Sequence, residues 1–253
     1  MNEINGFDNE YEFVKKLNGR KVNEIGPLLE IMVKDLFPET CYSSYIKCWR
    51  NHYRQKSDIF LKINGIIKGI SIKKGFRNSV HVESIYSFTD FLIKNGVDKK
   101  SVVDFLKYHY ADGTLNGTGT NRISANKYKE ENLENIDKLN QIFNNEELIR
   151  AAIDRFVIKG VNSEFFIDGI IYGEVDDFLW INRQDIIKSI LASKDVYSTA
   201  IHFGSLTCQP KNRCLNYNKK YERDRHFIQI KWYSLFDDII ENMNNKASAE
   251  FEN

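Results

Sequence analysis

The stretch SDIFLKINGIIKGISIK, residues 57–73, constrains the fold more than any other part of the chain. Two strand-forming runs flank Asn64-Gly65, and Asn-Gly suits a two-residue hairpin loop because both loop positions of that turn need positive φ. Such a loop fixes the register. Ile63 faces Ile66, paired positions sum to 129, and Asp58 stands opposite Ser71. Lys73 lies two residues along on the same face. Cross-strand neighbours have Cβ atoms about 5 Å apart and diagonal ones about 7–8 Å. The pattern therefore gathers one carboxylate and one lysine on one face of a hairpin.

That pair has a chemical reading. Carboxylate oxygen suits Mg²⁺, which keeps several waters and also engages a substrate phosphate. A lysine about 4–6 Å away orients or helps deprotonate an attacking water and stabilises charge developing on the phosphoryl group. A second carboxylate is normally wanted on the metal, and Ser71 stands where it is expected.

The neighbouring sequence supplies helices and a basic surface. VNEIGPLLEIMVKDLFPE has apolar residues at helical spacing, with Pro27 allowed in a first turn. NSVHVESIYSFTDFLIKNG reads as a helix capped at Asn78 or Ser79 and ended by Asn95-Gly96, which puts Glu83 in or near its first turn. KKSVVDFLKYHY is a second helix, residues 111–128 a long Gly/Thr/Asn loop, and EFFIDGIIYGEVDDFLWIN a strand, turn and strand. TAIHFGSL and HFIQIKWYSLF add strands, and the acidic, Asn-rich tail past Asp237 is expected to fray.

Net charge is only +1, but it is segregated. Between Ser43 and Val82 there are nine basic residues and one acid, Asp58; between Gln209 and Lys231 there are seven and two. One basic face and an acidic back suit a nucleic-acid partner; the alternative is salt-bridging between the two kinds of segment. Lys74, Arg77 and Asn78 are expected on phosphates. The loop 209–225 carries Lys211, Arg213, Lys219, Lys220, Arg223 and Arg225 with two tyrosines interleaved, and is the expected target-reading segment.

No apolar run approaches the roughly 18 residues of a membrane span, and no signal pattern opens the chain, so the expected setting is the cytoplasm with no membrane partner. The four cysteines are spaced more loosely than zinc knuckles, so buried reduced thiols are expected in preference to a zinc site. With three prolines and no linker, the 253 residues read as one folded unit.

Asp58, twelve intervening residues, then Ser71-Ile72-Lys73 resembles the PD-(D/E)xK nuclease superfamily, with Ser71 at the usual acid position. The order of helix, hairpin and helix resembles that core too. The resemblance covers roughly residues 20–95 and lacks the proline before the aspartate, where Ser57 stands. It implies an α/β fold, a restriction-endonuclease-like mixed sheet flanked by helices. Residues 1–108 would form the nuclease core and 109–253 a helical and β-containing extension.

It also implies a Mg²⁺-dependent endonuclease acting on double-stranded DNA, with Mn²⁺ able to substitute. Some restriction enzymes of the superfamily with this replacement recruit the acid from the helix after the lysine, which makes Glu83 the candidate. Asp58, Glu83 and the Ile72 carbonyl would hold metal, Lys73 would assist water, and Glu24 or Glu30 would supply an upstream helix acid. Cutting both strands calls for two sites, hence a homodimer, and a restriction role implies a DNA methyltransferase as genetic partner.

A rival site joins Asp168, in an acidic cluster, to Gln229 and Lys231 of a Q-x-K strand, though no register argument brings them together. Other readings are a repair or recombination nuclease, and a nucleic-acid-binding protein whose core lost its acid at Ser71.

Overall fold

The computed structural model describes residues 6–53, 55–74, 78–119, 122–161, 165–192, 200–212 and 219–251. In chain order its elements begin with α1 (Gly6–Leu17), α2 (Pro27–Leu36), β1 (Lys47–Arg50), β2 (Ile59–Ile63) and β3 (Ile66–Lys73). Next come β4 (Ser79–Ser84), α3 (Ile85–Lys94), α4 (Lys99–Tyr110), α5 (Ala125–Glu131), α6 (Leu133–Phe143) and α7 (Glu146–Ala152). After a π-helical turn follow β5 (Ile167–Glu174), β6 (Asp177–Asn182), α8 (Arg183–Ala192), β7 (Ile201–Phe203), β8 (Leu206–Pro210), β9 (Phe227–Trp232) and α9 (Leu235–Phe251). The fold is mixed α/β, with one mixed and one antiparallel sheet flanked by helices. Among the described residues no helix is long and apolar enough to cross a membrane.

The contacts divide the chain into two compact units that interleave in sequence instead of meeting near residue 108. The first takes residues 1–78, 154–189 and 234–253, and its sheet has the order β1-β2-β3-β5-β6. All neighbours are antiparallel except β3 and β5, which run parallel. A parallel pair needs a crossover, and here the intervening chain builds most of the other unit.

The hairpin register is the one the Asn-Gly loop dictates, from Ile63–Ile66 to Ile59–Ile70. Asn64 and Gly65 have φ of 49° and 87°, as the turn requires. One face of the sheet, through Ile59, Leu61, Ile63 and Ile70, packs on Phe13 and Leu17 of α1 and on Leu29, Met32, Val33 and Leu36 of α2. Each such side chain contributes about 1.5–3 kcal/mol on burial.

The second unit has an antiparallel sheet, β4-β9-β8-β7, and a core rich in phenylalanine. Phe143 stacks on Phe203 with centroids 4.7 Å apart, and Phe88 lies 5.0 Å from Phe105.

Three sequence expectations change. Residues 79–84 are a strand, not the start of a helix; Ser84 caps α3 by accepting from Ser87 N–H at 3.1 Å. The segment misleads because its polarity is reversed: Glu83 faces inward and Val82 is 41% exposed. The tail past Asp237 is helical, not frayed. Lys246 of α9 reaches Asp35 at 2.6 Å and Asp185 at 2.8 Å, and Ile239 is buried. Finally, α1 escaped notice, although Phe13, Val14 and Leu17 follow helical spacing.

Candidate functional site

Asp58 precedes β2 and is held from both sides. Asn51 N–H donates to the Asp58 carbonyl at 2.9 Å, and Asp58 N–H donates to the Ile70 carbonyl at 2.8 Å. The ladder ends one pair short of Asp58 and Ser71, yet the carboxylate closes the gap. Its Oδ2 accepts from the Ser71 hydroxyl at 3.0 Å and from the Ile72 N–H at 2.6 Å. Oδ1 has no hydrogen bond among the described residues.

Ser71 is 2% exposed and serves as a donor that fixes the aspartate. Lys73 stands two residues further on, on the same face of β3, in register with Tyr172 of β5. Its ammonium has no ion pair among the described residues, whereas Lys74 is 2.8 Å from Glu174.

A second carboxylate comes from a helix that sequence reasoning passed over. Glu10 of α1 accepts from Arg50 Nε at 3.1 Å and lies 3.0 Å from Nη2 of the same guanidinium. Its carboxyl is nevertheless raised above its ordinary value, first by burial and then by repulsion from Asp58, with Arg50 opposing both. A raised carboxyl beside a second carboxylate marks a place where a divalent cation would relieve repulsion. The available donors are all oxygen, which suits Mg²⁺. Among the described residues no cluster of three or more His, Cys, Asp and Glu has metal-site geometry, so the remaining ligands would be water, backbone carbonyl or substrate oxygen.

The other upstream acids are engaged differently. Glu24 accepts from Lys21 N–H at 3.1 Å in a tight turn. Glu30 lies in the first turn of α2, and Lys34, one turn further along, reaches the Thr40 carbonyl at 2.9 Å.

Glu83 is not at a helix start. It pairs with Ile228 inside the antiparallel sheet, is 7% exposed, and places Oε2 3.6 Å from His81 Nε2. It belongs to the second unit, while Asp58 and Lys73 belong to the first. Its charge also helps burial push up the Cys208 thiol. Burial likewise raises Cys48 to about 12; Cys41 is exposed, and Cys214 lies outside the described residues.

The rival pieces are separate structural features. Asp168 accepts from Gly69 N–H at 2.9 Å where the β3–β5 register shifts, and its other oxygen is 3.0 Å from Arg183. Gln229 donates to Ser79 at 3.0 Å, Lys231 is in register with Ser79, and both belong to the second unit.

Several basic residues expected on DNA are committed within the protein. Lys211 is 2.9 Å from Asp224, and its hydrogen bond holds that carboxyl below its usual range. Arg225 donates to the carbonyls of Gly117 at 2.7 Å and Gly119 at 3.2 Å, bracing the loop before α5. Arg223 is exposed and Asn78 half-buried. Lys219 and Lys220 open a 3₁₀ stretch, Lys219–His226; Arg77 and Arg213 lie outside the described residues. No protein-family model matches the chain, and no curated protein is detectably similar to it.

Proposed function

We propose that the chain is a metal-dependent endonuclease hydrolysing phosphodiester bonds in double-stranded DNA, built on the PD-(D/E)xK plan and of restriction type. The observation that carries the reading is the group at the end of the hairpin. Asp58 is fixed by Ser71 and Ile72 with one oxygen left without a hydrogen bond among the described residues, Glu10 stands close enough to repel it, and Lys73, on the same face of β3 as Ser71, has no ion pair among the described residues.

In this reading Asp58 and Glu10 hold Mg²⁺, which when bound supplies charge neutralisation at the scissile phosphate. Mn²⁺ would fill the same oxygen site, and the Ile72 carbonyl is a further candidate ligand. Glu10 takes the part that the sequence assigned to Glu83. Lys73 holds the attacking water by hydrogen bonding, helps withdraw its proton, and stabilises negative charge on the phosphoryl oxygens. Ser71 keeps the aspartate in one orientation. Both strands are cut by a homodimer, and a DNA methyltransferase is the expected genetic partner.

Incubation with plasmid DNA and Mg²⁺, wild type beside Lys73→Ala, tests this. The wild type should cut, and the variant should be slower by about 10²–10⁴-fold, the usual worth of a proton-transfer group. Intact plasmid with wild type in both Mg²⁺ and Mn²⁺, across varied sequences, would favour the second reading, a DNA-binding protein without catalysis. The serine at the usual acid position is what keeps that reading in view.

A further inference from the structure

On the face of the mixed sheet that carries Ser71 and Lys73, the register lines up side chains in rows. Lys47, Lys62 and Ile67 form the row nearest the hairpin turn, and Trp49, Phe60 and Gly69 form the next. The row after that contains Ser71, hydrogen-bonded to Asp58.

Lys47 and Lys62 are directly paired across β1 and β2, both are exposed, and neither has an ion pair among the described residues. Like charges directly opposite one another destabilise a sheet. A lysine on an edge strand blocks unwanted pairing, which accounts for Lys47 on β1. It does not account for Lys62, whose strand is paired on both sides.

The row also has a firm floor. Lys47 lies 5.9 Å over the Trp49 ring, Trp49 stacks on Phe60 at 5.6 Å, and Phe165 meets Phe60 edge-on at 5.2 Å. Two uncompensated cations on a rigid aromatic base form a site complementary to a polyanion. Four residues along β3 separate the lysine row from Ser71, about 14 Å at strand rise.

We infer that this face docks the phosphate backbone of duplex DNA, with Lys47 and Lys62 on phosphates about 14 Å from the one presented to Asp58 and Lys73. The spacing rests on the nuclease reading; the phosphate contacts do not.

The test is binding of a labelled DNA duplex in EDTA, where no cleavage intervenes, as a function of salt. Each phosphate contact contributes about 0.9 to the slope of log affinity against log salt. Lys47→Thr/Lys62→Thr, which keeps strand-forming residues, should therefore lower the slope by about 1.8. The charge-matched pair Lys99→Ala/Lys100→Ala, on exposed positions of α4 in the other unit, should leave it at the wild-type value. A thermal melt at or above that of the wild type shows the threonine variant folded, since a like-charge pair is removed. Equal slopes for the two variants, or no duplex binding by the wild type, would overturn the docking face. Lysine-dependent binding without plasmid cleavage in Mg²⁺ or Mn²⁺ would instead remove the nuclease reading and leave the docking face standing.

Discussion

Replacing Asp58 with alanine removes the acceptor of two hydrogen bonds, from the Ser71 hydroxyl and the Ile72 N–H. Ser71 is 2% exposed, so water does not readily take the place of the lost partner. Hydrogen bonds to a charged acceptor contribute about 1.5–3 kcal/mol each. Asp58 is itself half-buried, which favours the lower figure, so the expected loss is about 3 kcal/mol. For a chain of this size that is a fall in Tm of roughly 6–12 °C. Asparagine is nearly isosteric, and its amide oxygen can take the place of Oδ2, so Asp58→Asn should cost only about 1 kcal/mol. It nonetheless removes the charge that would hold a metal. At a metal concentration about ten times the dissociation constant, binding to the folded state adds about 1.4 kcal/mol, a rise in Tm of roughly 3–6 °C. Thermal unfolding with and without Mg²⁺ should show that rise in the wild type and none in Asp58→Asn. An undiminished rise in Asp58→Asn would refute metal binding at this carboxylate, and equal Tm values for the two variants without metal would refute its structural role.

Glu10→Gln should also abolish the metal-induced rise, whereas Glu83→Gln, in the other unit, should retain it; the reverse result would restore Glu83 as the metal-binding acid. Glu10 further predicts a pH effect of definite sign. Its folded carboxyl lies above the ordinary value of 4.5, so the folded chain keeps the proton to higher pH than the unfolded chain does. Stability linked to this group is therefore lost as pH rises from about 4.5 through the folded pKa. Urea unfolding should show Glu10→Gln gaining on the wild type as pH rises from about 4.5, and a difference that stays flat with pH would refute the raised carboxyl. A Cβ on Gly69 would lie 2.2 Å from Ser57 Oγ and 2.6 Å from the Phe166 carbonyl, so backbone must move. Gly69→Ala should lower stability by about 1–3 kcal/mol with an unchanged urea m-value, and a variant as stable as the wild type would refute that close approach.

What the sequence made legible was local. Asn64-Gly65 sets the pairing of its own flanks, so the approach of Asp58 to Ser71 follows by counting. β5 and β6 are likewise joined by a short turn and read directly. The parallel seating of β5 beside β3 joins residues about a hundred positions apart, and no local pattern encodes it. Glu10 is hidden for the same reason: 48 positions separate it from Asp58, and only packing of α1 brings them within electrostatic reach. β4 failed differently. With Glu83 turned inward and Val82 outward, burial there opposes the usual pattern, and a helix became the natural reading of a segment that leads into one.

The serine at position 71 is then intelligible on charge grounds. Glu10 and Asp58 already repel, and Arg50 only partly offsets this, because the Glu10 carboxyl remains raised. A carboxylate at residue 71, on a side chain that now touches Asp58, would put a third negative charge at a buried position where no ion pair is made among the described residues. A hydroxyl at the same place adds no charge and supplies a proton that fixes Asp58 Oδ2, leaving Oδ1 for a ligand. On the proposed nuclease reading, the acid absent from the strand and the acid contributed by α1 are two sides of one electrostatic balance: with Glu10 in place, position 71 is better filled by a donor than by another anion.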